Sequence, residues 1–402
     1  MKVLEDNSFE MCTKCTICTE YCPVSEANSA FPGPKQSGPD GERLRLKDAS
    51  YFDEALKYCT NCKRCEVVCP SGVLIGDVIQ LARKKHGRKK FSFRDYVLSH
   101  TDVMGPVSAT PLAHAVNAAT GFKPIKLLLQ SALGIPAERD LPRYATSTFR
   151  RWFRKNSRKK QEAHQEQIHL FHGCYINYNN PALGKDCVTV LNTLNVGVRL
   201  ISGERCCGVP MIANGFYEDA RKNARTNALA FQKISDRPDG TILIPSTTCA
   251  MTVRDEYPHV LKVDNSGWRS KVDLLTRYVH RLLEESRELS LNPINMTVAY
   301  HTSCHMERLG WSGYSISLLR RIPGLTVKLL PQQCCGIAGT YGFKQEYYDT
   351  AQKIGSSLFA EIESTGVDLI ITECETCRMQ IAMSTGKQCE HPITMLARSL
   401  SG

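Results

Sequence analysis

The sequence predicts a chain of mixed class, α+β at its start and α/β beyond. A helical, cysteine-rich N-terminal domain is followed by two repeated α/β domains. Three observations carry this. Eight cysteines lie from Cys12 to Cys69 and eleven from Cys174 to Cys389, with none in between. In the second block Cys206-Cys207-Gly208 returns as Cys334-Cys335-Gly336, each pair following a lone cysteine, Cys174 or Cys304, by 32 or 30 residues. Within each repeat short apolar runs alternate with helical stretches, the pattern of a parallel sheet. The expected limits are 1–90, a connector over 91–165, and repeats over 166–290 and 291–402.

Composition bounds the rest. A chain of 402 residues, 42% apolar and 23% charged, holds two or three cores and is not disordered overall. It has no run of 18 apolar residues, so no spanning helix is expected. The start, MKVLEDNSFEMC, lacks the n-region and h-region of a signal peptide, so a cytosolic address is expected, with membrane-surface attachment open. Nineteen cysteines in such a chain indicate metal or redox chemistry rather than disulfides.

The N-terminal element comes first. Cys12-x2-Cys15-x2-Cys18-x3-Cys22-Pro23 recurs with identical spacing as Cys59-x2-Cys62-x2-Cys65-x3-Cys69-Pro70. This is the bacterial ferredoxin run for [4Fe–4S] clusters. Three closely spaced thiolates wrap one face of the cube, and the fourth reaches the other cluster. The expected sets are therefore Cys12, Cys15, Cys18 and Cys69 for one cluster, and Cys22, Cys59, Cys62 and Cys65 for the other. Zinc sites usually pair two C-x-x-C hairpins, and the third close cysteine with Cys-Pro, twice over, argues against them. Between the runs, Asp40–Tyr58 reads as a helix packed on the cluster core, with Leu44, Ala55 and Leu56 in phase with Tyr51 and Phe52.

The connector is cysteine-free and broken by Gly and Pro, so only short pieces such as Pro124–Leu133 fit as helix. The cysteine-free stretch between Cys69 and Cys174 holds the excess charge. The net charge is +11, but residues 83–94 carry seven Lys/Arg and 143–160 carry eight, with no acid in either. Such runs are a solvated face, or an attachment to an anionic membrane with Phe149, Trp152 and Phe153 inserting between the arginines. No motif for reading nucleic acid accompanies them.

In the repeats, Ile168–Phe171 and Met296–Tyr300 read as buried strands just before the lone cysteines. Val196–Ile201 and Leu325–Leu330 read as strands before each Cys-Cys-Gly, and Asp219–Ile234 and Tyr347–Ser364 as helices after it. TILI (241–244) and DLII (368–371) lead into the last cysteines. Every cysteine group thus follows a strand, at the sheet end where ligands gather. The second repeat offers Cys304, Cys334, Cys335, Cys374 and Cys377; the first offers Cys174, Cys206, Cys207 and Cys249, with Ser246 where a fifth would stand. Adjacent cysteines suit a multi-iron cluster or redox-active thiols. The alternative is a metal-free domain whose cysteines pack as small buried hydrophobes. Cys187 and Cys389 have no partner at ligand spacing and are expected as buried thiols. His172, His301 and His305 flank the lone cysteines and are expected to be satisfied near the sheet edge, with cluster tuning or proton donation as other roles. No G-x-G-x-x-G or P-loop follows a strand, so nucleotide binding has no support.

The whole pattern resembles the superfamily of heterodisulfide-reductase and glycolate-oxidase iron–sulfur subunits. The likeness to the iron–sulfur subunits of anaerobic glycerol-3-phosphate dehydrogenases runs over nearly the whole chain. It is carried by FPGPKQSGPDGERLRLKD (31–48), DEALKYCTNCKRCEVVC (53–69), CCGIAGTYGFK (334–344) and Cys374–Cys377. The resemblance implies an unusual non-cubane [4Fe–4S] site on the five cysteines of the second repeat, and a weaker site in the first. It implies an electron carrier rather than a catalyst on its own. That carrier takes electrons from a flavoprotein catalytic dimer of A and B subunits and passes them to membrane quinone, at the cytoplasmic face of the inner membrane as a peripheral protein. A subunit for glycolate or lactate oxidation, or a disulfide reductase using the second site, are the rival implications.

Overall fold

The computed structural model describes residues 8–51, 53–87, 91–109, 112–238, 240–285 and 287–401. Phe52 and residues 88–90 of the first basic run lie outside them.

The N-terminal domain is built of short helices because each cysteine run curls the backbone. Lys14 and Thr16 have φ of 62° and 64°, and Asn61 and Lys63, at the same offsets in the second run, have 55° and 66°. Left-handed residues at those two places turn the chain round a point instead of letting a helix propagate. Each run then enters a single turn, Ile17–Glu20 or Arg64–Val67. The longer helix Ile75–His86 closes the domain, burying Ile75, Val78, Ile79 and Ala82. One expectation fails here. Asp40–Tyr58 is not a continuous helix: it divides into Gly41–Lys47 and a 3-10 turn Glu54–Tyr58. Leu56 is fully buried, but Leu44 is exposed. The chain leaves the helix at Asp48, whose carboxylate accepts from the Ser50 backbone N–H and so favours a turn.

The repeats fold as two four-stranded parallel sheets. The first orders β1 (Glu166–Leu170), β2 (Val196–Leu200), β3 (Ile242–Ile244) and β4 (Val272–Leu274) as β2-β1-β3-β4. The second orders β5 (Met296–Tyr300), β6 (Leu325–Leu329), β7 (Leu369–Ile371) and β8 (Gln388–Glu390) as β6-β5-β7-β8. The registers match: Leu170 faces Leu200 and Leu243, as Tyr300 faces Leu329 and Ile371. The expected strands and helices stand; the sheet-edge strands β4 and β8 have no counterpart in the sequence reading, because three residues are too few to display a period.

The two sheets share one core. Helix Pro181–Thr193 of the first repeat packs on Pro392–Ser401 of the second, and Leu275–Glu284 on Ser312–Arg320. These are corresponding pairs, so the repeats meet about a pseudo-two-fold axis. Leu170, Val190, Leu191, Val279, Val298, Leu318 and Leu396 belong to the continuous apolar cluster between them.

The connector forms short helices, including Lys123–Leu133, which ends on Gly134 at φ 63°. It also corrects the membrane expectation. Phe149 and Phe153 are 0% and 5% exposed and belong to the shared core; Phe149 lies so close to Gly184 that a Cβ there would meet its ring at 2.5 Å. Trp152 packs partly against the same core. The helical period puts all three on the buried side of Phe149–Asn156 and leaves Arg151 and Arg154 outside, while Arg150 at the edge of that face turns in to His172. Exposed apolar side chains stand elsewhere in the connector, at Phe122, Leu127 and Leu128. Among the described residues no helix is long and apolar enough to cross a membrane.

Candidate metal centres

Three cavities collect seventeen of the nineteen cysteines. Cys12, Cys15, Cys18 and Cys69 line one. Cys22, Cys59, Cys62 and Cys65 line a second. Each cavity therefore takes three thiols from one run and the fourth from the other. The folding that achieves this is visible locally: Cys22 precedes the helix that opens with Pro23, and this new element carries it away from its own run.

The third cavity, about 240 Å³, is lined by Cys174, Cys206, Cys207 and Cys249 of the first repeat and by Cys304, Cys334, Cys335, Cys374 and Cys377 of the second. Both Cys-Cys-Gly groups face the same space because each follows the carboxyl ends of its strands and the pseudo-two-fold axis brings those ends together. Cys62 lines this cavity as well as the second one.

The loops that hold these thiols are specified by glycine. Gly208 and Gly336 have φ of 95° and 86°. A Cβ on Gly336 would come 1.9 Å from the carbonyl oxygen of Ala351, so the helix Gln345–Thr365 passes hard against the loop. Backbone N–H groups then point at sulfur: Gly336 N–H donates to Cys334 Sγ and Cys377 N–H to Cys374 Sγ, both at 3.4 Å. Thiols also bond each other. Cys174 and Cys206 are 3.7 Å apart, and Cys335 donates to Cys377 at 3.2 Å. Hydrogen bonds from Cys304 and Cys335 hold the Cys334 thiol well below its ordinary range, and those from Cys174 and Cys207 do the same for Cys206. Cys374 is drawn to about 6, first by Cys377.

These sites suit iron–sulfur groups. Among the described residues no three metal-binding side chains close round a single ion. The thiols instead ring cavities, with N–H donors aimed at sulfur, a setting that suits a multi-iron group and tunes its potential. Ser246 occupies the place of Cys374: each caps the next helix, through the Cys249 N–H or the Cys377 N–H. The Ser246 hydroxyl is engaged by Glu375 of the other repeat at 2.9 Å.

The flanking histidines divide. His172 accepts from Arg150 Nε at 2.8 Å and His305 contacts Thr248 at 3.2 Å, so both are satisfied. His301 is fully buried with neither ring nitrogen bonded among the described residues, contrary to the expectation for it. Burial holds His301 at about 4, hence neutral at pH 7. Cys187 and Cys389 are buried away from the cavities.

Two features had no sequence signal. One is the double exposure of Cys62. The other is a buried ionic network beside it. Lys63 bonds Asp77 and stands 3.3 Å from Glu66; Asp77 meets His259 at 3.1 Å, Glu66 meets Arg308 at 3.2 Å, and Asn61 donates to Glu256. This network ties the second cysteine run to both repeats.

Comparison with known proteins agrees with this geometry. Residues 8–73 match the family model of the 4Fe-4S dicluster domain, and residues 168–254 and 298–382 each match that of the cysteine-rich domain. The C subunit of the anaerobic glycerol-3-phosphate dehydrogenase of Escherichia coli K12 is 55% identical over 398 residues, 99% of this chain and 100% of that one. The B subunit of the fumarate reductase (CoM/CoB) of Methanothermobacter marburgensis is 26% identical over 94% of this chain and 68% of its own. The lactate utilization protein A of Bacillus licheniformis is 29% identical over 55% of this chain and 93% of its own.

Proposed function

This chain belongs to the family of anaerobic glycerol-3-phosphate dehydrogenase C subunits, and we propose that it relays electrons from a flavoprotein catalytic dimer oxidising sn-glycerol 3-phosphate to a membrane quinone. Its dicluster domain carries two [4Fe–4S] clusters, and the cysteine-rich domains suit further ones. The clusters supply one-electron storage when bound. Cys12, Cys15, Cys18 and Cys69 hold one; Cys22, Cys59, Cys62 and Cys65 hold the other. Cys304, Cys334, Cys335, Cys374 and Cys377 hold a further iron–sulfur group. Cys174, Cys206, Cys207 and Cys249 form the weaker site, because Ser246 offers no thiolate.

The observation that carries the relay is Cys62, on the wall of both its own cluster cavity and the cavity faced by the repeats. Cys304 lines the same shared cavity and draws the Cys62 thiol below its ordinary range, so a ligand of the second cluster faces the cysteines of the second repeat. The Lys63 network ties that approach to both repeats. Membrane attachment falls to the connector, where Phe122, Leu127 and Leu128 are exposed beside Lys123 and Lys126. Rapid mixing of the anaerobic chain with its reduced catalytic dimer tests the relay. EPR signals should rise first in the dicluster domain and then in the second repeat. A second-repeat signal that reduces before both dicluster signals would refute it.

A further inference from the structure

Arg139 stands in the loop after the helix Lys123–Leu133 and is only 2% exposed. Its Nη1 donates to Gln380 Oε1 at 2.5 Å. Its guanidinium lies 5.3 Å from the Phe343 ring centroid and 5.0 Å from that of Tyr348. Nε and Nη2 meet no acceptor among the described residues. No carboxylate among them pairs with it; Asp140, next in sequence, turns outward to Lys126 at 2.7 Å. An uncompensated buried cation is among the costliest groups a fold can hold, so an anion is expected close by.

The surroundings point to one. Gln380 is one helical turn beyond Cys377 on Glu375–Thr385. Phe343 ends the loop that starts at Cys335, and a Cβ on Gly342 in that loop would lie 3.2 Å from Nη2. Burial lowers the guanidinium pKa, while Tyr348, then Cys335, then Asp140 act in the opposite sense. The connector has thus threaded a fixed positive charge behind the wall of the second Cys-Cys-Gly site, against Phe343, whose side chain lines the cavity. Among the described residues the first repeat has no such free charge nearby: Arg150 is partly exposed and lies 3.7 Å from Glu204.

We propose that Arg139, which unlike Arg64 is not paired with a carboxylate among the described residues, is a built-in counter-cation of the iron–sulfur group held by Cys304, Cys334, Cys335, Cys374 and Cys377, and that it raises that group's reduction potential. This rests on the reading above that the site holds such a group. Thiolate ligands make the site anionic, and one electron arriving from a reduced cluster of the dicluster domain, which is oxidised in turn, adds one more negative charge. A fixed cation in a poorly screened interior stabilises the more negative state. Arg139 is therefore a positioning residue for charge, and the second repeat is the electron sink of the two.

The test is an EPR-monitored redox titration of the full chain, purified anaerobically, with iron and sulfide counted. The second-site signal is the one lost in Cys335→Ala. Arg139→Met should keep its iron while the reduced-to-oxidised ratio of that signal at a fixed potential falls at least tenfold, which is about 59 mV for one electron. Arg139→Lys, which keeps the charge, should stay within about threefold of the unaltered chain, or about 28 mV on the same scale. Full iron with an unmoved midpoint in Arg139→Met would overturn the inference. So would a shift in Arg139→Lys as large as in Arg139→Met, since packing and not charge would then be at work. If Arg139→Met holds no second-site iron, Arg139→Lys decides alone: retained iron and potential support the inference, and loss of either overturns it. Should Cys335→Ala remove no signal from the unaltered chain, the reading of the site fails, and the inference with it.

Discussion

Replacing Gly336 by alanine should be far more damaging than the same change at Gly208, although both glycines occupy the same place in a repeat. Both positions have positive φ, 86° and 95°, so each pays the left-handed penalty of about 1–2 kcal/mol. The surroundings then separate them. At Gly208 the nearest atom to a new Cβ is the Cβ of Ala220 at 3.2 Å, which a small shift accommodates. At Gly336 it is the carbonyl oxygen of Ala351 at 1.9 Å, with the Gly355 backbone nitrogen at 3.1 Å. Those are backbone atoms of the 21-residue helix Gln345–Thr365, and relieving the overlap means moving the helix off Cys335. Forced overpacking of that kind costs about 1–3 kcal/mol more. Gly336→Ala should therefore lose about 2–5 kcal/mol and Gly208→Ala about 1–2 kcal/mol. Urea unfolding of the full chain, followed by tryptophan fluorescence, gives both from midpoint and slope. Iron retained by the second repeat reads the local effect. Equal small losses, or a larger loss at Gly208, would show that the helix does not bear on the Cys-Cys-Gly loop as described.

Cys22→Ser should remove iron from the cavity of Cys59, Cys62 and Cys65 and spare that of Cys12, Cys15 and Cys18; Mössbauer spectra showing the opposite loss would contradict the crossed assignment. Lys63→Met should cost about 3–5 kcal/mol, because it takes the shared cation from three buried carboxylates, leaving Asp77 with His259 alone, Glu66 with Arg308 alone and Glu256 with no nearby ammonium among the described residues. Thermal unfolding measures it, and a melting temperature that does not move would dismiss the network as a structural bolt. Asp77 gives the same network an acid limit. Despite burial, Lys63 and His259 hold its carboxyl at about 2, so its contribution is full above about pH 4 and lost as pH falls towards 2; Asp77→Asn should flatten the acid limb of a stability profile. Leu127→Asp with Leu128→Asp should reduce flotation of the chain with anionic vesicles more than Trp152→Ala does; equal binding of all variants would locate attachment outside the connector's exposed helix.

What the sequence by itself determined was everything that rests on spacing. Ligand spacing is a local property: Cys12 to Cys22 and Cys59 to Cys69 must turn the chain within a few residues, so the motif is legible without the fold. The repeat was legible for a related reason. Two copies of one supersecondary unit need the same strand, loop and helix lengths, and Ser246 could be matched to Cys374 by counting. The helix expected over Asp40–Tyr58 failed at the Asp48–Ser50 turn, which apolar phase does not register, and the membrane-facing role expected for Phe149 and Phe153 failed because periodicity shows that a face is apolar, not what covers it. Helix Pro181–Thr193 and Gly184 cover Phe149, and they lie some thirty residues away in the chain. The tertiary structure alone decided that both Cys-Cys-Gly groups look into one cavity, that Cys62 stands on the wall between two sites, and that Arg139 is buried. Each of these depends on where the pseudo-two-fold packing of the repeats and the path of the connector bring distant segments. Those positions follow from the shape complementarity of whole helices, which no short window of residues encodes.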